Sequence, residues 1–363
     1  MAGWRSRRPR RDRRTPDRYR LHRRPAAGEC PCAPRADRGT DRARSARRSH
    51  CQRPAPQTLA ALMAGAQPRC AGARARIPRR AARRTRAAII PPDAGACAVM
   101  PYLKPDRVAP AYQPRFRPAS HAAMPDCYVA NVRPGQPVLV AVHGISRNAA
   151  EIAMRFALDP AFAGTTIIAP LFTREAFGQY QQLLARKRGQ VRADDALIAL
   201  LDDLGDEQGI AVDRFALFGF SGGAQMAHRF AMFHPHRVRR LCVVSAGWYC
   251  MPHTDIAYPH GIGDGKNGAI VEPEFLDIPT TVIVGNRDTR IDTSVRQDEI
   301  INLRQGRNRL RRARCYTRAL RCYAEGQGKE SAATLLTLPG VRHDFHQCVT
   351  EGGLLRIAAQ ALL

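Results

Sequence analysis

Lysine is almost missing from this chain, with four Lys against 54 Arg in 363 residues. Its positive charge is therefore guanidinium charge, which suits phosphate and other anions. Aromatics are sparse too, at 6% with two Trp. No apolar run approaches the ~20 residues of a membrane-spanning helix, which excludes a span of that kind. Cysteine occurs eleven times but lacks the spacing of a metal site: Cys30-Pro31-Cys32 has no second pair to complete a zinc set. No metal or cofactor is expected. Cys315 with Cys322 or Cys348 could pair in an oxidising compartment, but free thiols in a cytoplasmic protein are the expectation. Nothing in the sequence sets an oligomeric state.

The formal net charge of +27 has the look of a nucleic-acid binder until it is divided. Residues 1–99 hold 26 Arg, no Lys and six acidic residues, a net of +20. Residues 100–363 hold 32 basic and 25 acidic residues, a net of +7. The first segment is rich in Arg, Ala and Pro and shows no sustained helical or strand period. It cannot bury enough apolar surface to offset its chain entropy, so disorder is expected there. A basic arm for nucleic acid is one reading of it. A targeting sequence is another, although Leu59–Met63 is short for a signal core and lies far from the start. The favoured reading is that it is not translated, with the start at Met100 or Met124, because Arg, Ala and Pro share GC-rich codons. Residues 100–136 form a Pro-rich lead-in with a short edge hairpin around Cys127–Val132.

From residue 137 onward, strand-like and helix-like runs alternate. Val138–Val142, Thr166–Ala169, Phe215–Phe218, Val238–Ser245, Thr280–Val284 and Ala333–Leu338 are short apolar runs that fit buried strands. Asn148–Ala157 reads as a helix with Ala149, Ile152 and Phe156 on one side. Ala193–Leu204 has an apolar stripe of Ala196, Leu197, Leu200, Leu201 and Leu204. Leu354–Leu362 closes the chain as a helix. This alternation predicts an α/β fold, a mostly parallel sheet with helices on both faces. An insertion at 248–276, with Trp248, Tyr249, Met251, His253, Tyr258 and His260, breaks the rhythm. It is either a wall of a substrate pocket or an ordinary long surface loop.

The most telling segment is Gly219-Phe220-Ser221-Gly222-Gly223. The bare Gly-x-Ser-x-Gly pattern should arise roughly 0.05 times by chance in this composition. Its context adds weight. An apolar strand precedes it, and Ala224, Ala227, Phe230 and Ala231 follow at helical spacing until Pro235. That is the setting of a nucleophile elbow, in which a sharp strand-to-helix turn presents a serine hydroxyl. A Gly-rich turn packing a helix on a strand would leave the same letters.

A serine hydroxyl needs a base, an acid to orient that base, and donors for the developing oxyanion. Asp288, just after Thr280–Val284, is the candidate acid, with Asp292 as its rival. His343, just after Ala333–Leu338, is the candidate base, with His346 as its rival. The backbone N–H groups of Gly222 and Ile145 are the candidate oxyanion donors, the latter in the loop His143-Gly144-Ile145-Ser146. His143 suits a structural role in that loop, and it stands with Trp248 and Tyr249 as a substrate-pocket candidate.

These pieces, in the order His143-Gly144, Ser221, Asp288, His343, resemble the α/β-hydrolase superfamily over about residues 137–363. The texture around His143–Ser146 and Ser221–Gly223 is most similar to the poly(3-hydroxybutyrate)-depolymerase-like and feruloyl-esterase-like group. The resemblance implies a serine hydrolase acting on carboxylic esters of small molecules through an acyl-enzyme, with no metal or cofactor. Fold alone does not set substrate. A serine peptidase or other acyl hydrolase of the same fold is the nearest alternative. A nucleic-acid-binding protein using the Arg-rich segment, with an inactive hydrolase domain, is the alternative from a different class.

Overall fold

The structure, a computed structural model, describes residues 113–363 apart from 185–188, 267 and 272. The expectations for the Arg-rich segment at 1–99, and for a start at Met100, lie outside the described residues.

Eight strands form one sheet. They are β1 (Arg115–Arg117), β2 (Asp126–Ala130), β3 (Val138–Val142), β4 (Thr166–Leu171), β5 (Phe215–Phe220), β6 (Val238–Val244), β7 (Thr280–Gly285) and β8 (Ala333–Leu338). Their spatial order is β1-β2-β4-β3-β5-β6-β7-β8. The pairs β1–β2 and β2–β4 are antiparallel, and every pair from β4 to β8 is parallel. The edge hairpin runs from β1 to β2, with its turn before Asp126, whereas the sequence pattern places it around Cys127–Val132. The helices are α1 (Ala149–Leu158), α2 (Ala193–Gln208), α3 (Gly222–Phe233), α4 (Glu299–Gln305), α5 (Arg309–Gly326), α6 (Phe345–Thr350) and α7 (Leu354–Leu362).

The strand residues read as continuous apolar runs because both sheet faces are covered. In β3, Val138, Val140 and Val142 join one core cluster, with Leu197, Leu200, Phe230, Tyr316 and Leu320. Leu139 and Ala141 join the other, with Ile152, Phe156, Leu354 and Leu362. The period of two along the strand therefore distributes side chains between α2, α3 and α5 on one face and α1 and α7 on the other. Asn148 caps α1 by accepting from the Glu151 N–H at 3.3 Å, and Gly209 ends α2 in the left-handed region at φ 65°.

The helices α4 and α5 lie in residues 289–332, where the apolar pattern predicts no element. The miss has a physical cause. The inner face of α5 carries Ala313, Tyr316 and Leu320 at helical spacing, but also two buried arginines, Arg309 and Arg312. A helix with Arg on its packed face looks solvated by pattern alone.

Strand order reverses direction at the centre, where β3 has β4 on one side and β5 on the other. Ligands of open α/β sheets bind at the carboxyl ends of such neighbouring strands. The loops after β3 and β5 meet there.

Candidate active site

The turn from β5 into α3 leaves no room for side chains. A Cβ on Gly219 would lie 2.3 Å from the Gly223 carbonyl oxygen, and one on Gly223 would lie 2.1 Å from that of Val142. Strand, turn and helix close on one another only because both residues are glycine. Between them Ser221 is held at φ 54°, ψ −110°, a sparsely populated conformation for a residue with a side chain. Its N–H donates to the Val244 carbonyl at 2.8 Å, which ties the strained turn to β6.

The loops after β7 and β8 bring the other two groups in. Gly285 ends β7 where a Cβ would stand 2.3 Å from the Val341 carbonyl oxygen, so the two loops cross in contact. The Arg287 N–H donates to Val341 O at 3.0 Å, and Asn286 Oδ1 accepts from the Gly340 N–H at 2.8 Å. This crossing sets Asp288 beside His343. His343 Nδ1 lies 3.0 Å from Asp288 Oδ2, and Nε2 lies 3.0 Å from Ser221 Oγ. The imidazole is also stacked on the Phe220 ring, centroids 5.3 Å apart, which fixes its plane. Asp288 is 1% exposed, and its other oxygen accepts from Arg309 at 3.4 Å. Arg309 is equally buried and reaches Ser294 Oγ at 2.8 Å.

The rivals fall elsewhere. Asp292 accepts from the Ser294 N–H at 2.9 Å, and its carboxyl is held low by that serine's hydroxyl and N–H. His346 Nδ1 meets Arg155 at 2.7 Å, on α6 and α1.

The loop after β3 passes over the serine, since a Cβ on Gly144 would lie 3.4 Å from Ser221 Cβ. A Cβ on Gly222 would lie 2.9 Å from Ile145 Cγ2 and 2.7 Å from the Tyr180 hydroxyl, so Ile145 and Gly222 face each other. Gly222 opens α3, and the first N–H groups of a helix have no intrahelical partner. The two residues named as candidate oxyanion donors are therefore neighbours beside the elbow.

The three pocket candidates are held by their own partners. His143 is completely buried: Nδ1 donates to Gly144 O at 2.8 Å and Nε2 accepts from the Phe172 N–H at 3.0 Å. Burial pulls its imidazole down to about 4, so the ring is neutral and both nitrogens are spent on the loop. Trp248 is packed between His260 and Arg229, whose guanidinium carbon is 4.2 Å from the indole ring. Tyr249 stacks on Tyr316 at 4.2 Å, and the Gln305 side-chain amide brackets its backbone at 2.9 and 2.8 Å. All three are buried. Aromatic residues in a long loop resemble a pocket wall by sequence, and their burial here depends on partners far along the chain.

Three residues near the serine carried no sequence signal. Arg309 holds the acid. Tyr180 donates to the His143 carbonyl at 3.0 Å and packs beside Gly222. Arg147 lies with its guanidinium carbon 5.5 Å from the Tyr180 ring.

Solved structures similar to this chain include the following two. Poly(aspartic acid) hydrolase-1 from Sphingomonas sp. KT-1 is 21% identical, with a TM-score of 0.56, over 66% of this chain and 93% of its own. LpqC, a poly(3-hydroxybutyrate) depolymerase from Bordetella parapertussis, is 24% identical, with a TM-score of 0.55, over 65% of this chain and 84% of its own. No family model matches the sequence, and no curated protein matches it. The likeness establishes the α/β-hydrolase fold.

Proposed function

We propose that this α/β-hydrolase-fold chain is a serine hydrolase of carboxylic esters, with residues 137–363 as its hydrolase domain. The observation that carries the reading is the continuous relay Ser221 Oγ–His343 Nε2–His343 Nδ1–Asp288 Oδ2, with both contacts at 3.0 Å. Such a relay activates a hydroxyl that is otherwise a poor nucleophile near neutral pH. Support also comes from the two similar structures, which are named a hydrolase and a depolymerase.

In this reading Ser221 Oγ attacks the ester carbonyl and His343 Nε2 takes its proton. Asp288 accepts from Nδ1–H, keeps the imidazole in the tautomer with a free Nε2, and steadies the imidazolium once formed. The carbonyl oxygen gains negative charge, and the Gly222 and Ile145 N–H groups donate to it. One such donor contributes about 3 kcal/mol of transition-state stabilisation. His343 then protonates the departing alcohol. Water attacks the acyl-enzyme with His343 as base, releases the acid, and restores Ser221. The bent backbone at Ser221 keeps Oγ in place throughout, so no loop has to reorganise around the nucleophile.

Turnover of p-nitrophenyl acetate and butyrate by wild type and Ser221→Ala tests this. Activity collapses in the variant, and a fluorophosphonate probe labels the wild type alone. Equal rates in the two proteins would sink the nucleophile assignment. Labelling at Ser221 without turnover of any ester would point instead to a peptidase or another acyl hydrolase of the same fold.

A further inference from the structure

We propose that Arg147 selects substrates that carry a carboxylate close to the scissile carbonyl. This deepens the ester-hydrolase reading and rests on it. Arg147 stands three residues beyond Gly144, in the loop that passes over Ser221. Its backbone is left-handed, at φ 58°, and its N–H donates to Gly144 O at 3.0 Å, which closes a tight turn. The side chain then folds back over the mouth of the site. Nη1 donates to the Ile145 carbonyl at 3.0 Å, and the guanidinium carbon lies 5.5 Å from the Tyr180 ring centroid. Ile145 and Tyr180 are, with Gln181, the side chains that crowd Gly222, next to the nucleophile. The cation is therefore anchored on two residues that themselves flank Gly222.

This guanidinium has no carboxylate among the described residues. Two other arginines of the region are paired: Arg309 meets Asp288 at 3.4 Å and Arg155 meets Glu151 at 3.8 Å. The nearest acid along the chain, Glu151, is also taken by the Asn148 side-chain amide at 2.7 Å. Arg147 Nε is buried with no hydrogen-bond partner. Leaving a buried charged donor unsatisfied is costly. A cation kept half-desolvated and unneutralised beside a nucleophile supplies what a substrate carboxylate needs, a planar fork of donors at a fixed place. A neutral acyl chain gains nothing from it.

The competing account is structural: Arg147 serves only to hold the Ile145 carbonyl and the Tyr180 ring. The two accounts differ in what they do to a ratio. The mono-p-nitrophenyl ester of adipic acid and p-nitrophenyl hexanoate have acyl chains of equal length, and one ends in a carboxylate. For charge in the leaving group, 4-acetoxybenzoate and phenyl acetate make a second pair. In wild type, at least one pair shows kcat/KM favouring the anionic ester. In Arg147→Gln that preference falls about tenfold or more, as expected for a lost charge-assisted hydrogen bond, whatever happens to the neutral rate. Arg147→Lys recovers part of it. Added KCl erodes the wild-type preference, because a half-exposed pair is screened. A purely structural role lowers both members of a pair together and leaves both ratios unchanged, which overturns the proposal. No preference for either anionic ester in the wild type overturns it as well. Loss of all ester turnover and probe labelling in wild type would instead overturn the ester-hydrolase reading.

Discussion

The carboxylate of Asp288 is held from both sides: His343 Nδ1 at one oxygen and the guanidinium of Arg309, 3.4 Å away, at the other. Both charged side chains are 1% exposed. Removing one partner of a buried ion pair strands the other, at a cost of about 3–5 kcal/mol. Arg309→Met is therefore expected to lose stability in that range by chemical unfolding. It also frees Asp288 to turn from His343, so labelling of Ser221 by a fluorophosphonate slows at temperatures where the variant is still folded. A variant as stable and as quickly labelled as wild type would mean that Arg309 does not hold the acid.

The glycines of the elbow separate fold from function. In Gly223→Ala the new Cβ meets backbone, 2.1 Å from Val142 O and 2.5 Å from His143 O. Neither atom can move without parting β3 from α3, and a loss of about 3 kcal/mol or more is expected. In Gly222→Ala the Cβ meets side-chain atoms, of Tyr180, Ile145 and Gln181 at 2.7, 2.9 and 3.2 Å. Those side chains can shift, so the melting temperature falls little while ester turnover drops, because the shift lands on the oxyanion position. Equal damage to stability in the two variants would contradict this division.

Much of this was legible in the sequence, and the reason is specific. Burial on both faces turns β3, β5 and β7 into unbroken apolar runs, and Ser221, Asp288 and His343 each follow a strand closely enough to be placed by it. The glycines at 219 and 223 added the sharpness of the turn. What stayed hidden depends on contacts distant in sequence. Arg312 is buried on α5 because the carbonyls of Gly247, Arg296 and Gly306 converge on it at 2.6–2.8 Å. Nothing local marks it as interior. Trp248 and Tyr249 have the residue types of a pocket wall, and partners brought in by other elements, among them Arg229 and Tyr316, make them interior.

Tyr180 reaches the oxyanion loop through one hydrogen bond, from its hydroxyl to the His143 carbonyl. Tyr180→Phe keeps the ring against Phe172, centroids 5.3 Å apart, and removes only that bond. The expected stability loss is about 1 kcal/mol, with the buried carbonyl left short of a donor. Turnover falls more than this alone implies, because the loop that carries Ile145 is loosened. Full activity in the variant would show that the loop is held by other means.

His143 also predicts how the protein responds to acid. Burial lowers its pKa from 6.5 to about 4, and buried His228 is lowered as well. A histidine whose folded pKa lies below its unfolded value binds its proton in the unfolded chain first. Its contribution to stability is complete above about pH 6.5 and is lost as pH falls toward 4. While only the unfolded state is protonated, each such histidine adds a slope of up to about 1.4 kcal/mol per pH unit. Unfolding free energy measured from pH 7 to pH 4 should therefore fall more steeply in wild type than in His143→Gln. The substituted side chain offers an amide to Gly144 O and the Phe172 N–H but has no proton to take up. The comparison is between slopes, so a uniform loss of stability in the variant does not disturb it. Identical slopes would mean that His143 is not the neutral, buried ring that its two hydrogen bonds imply.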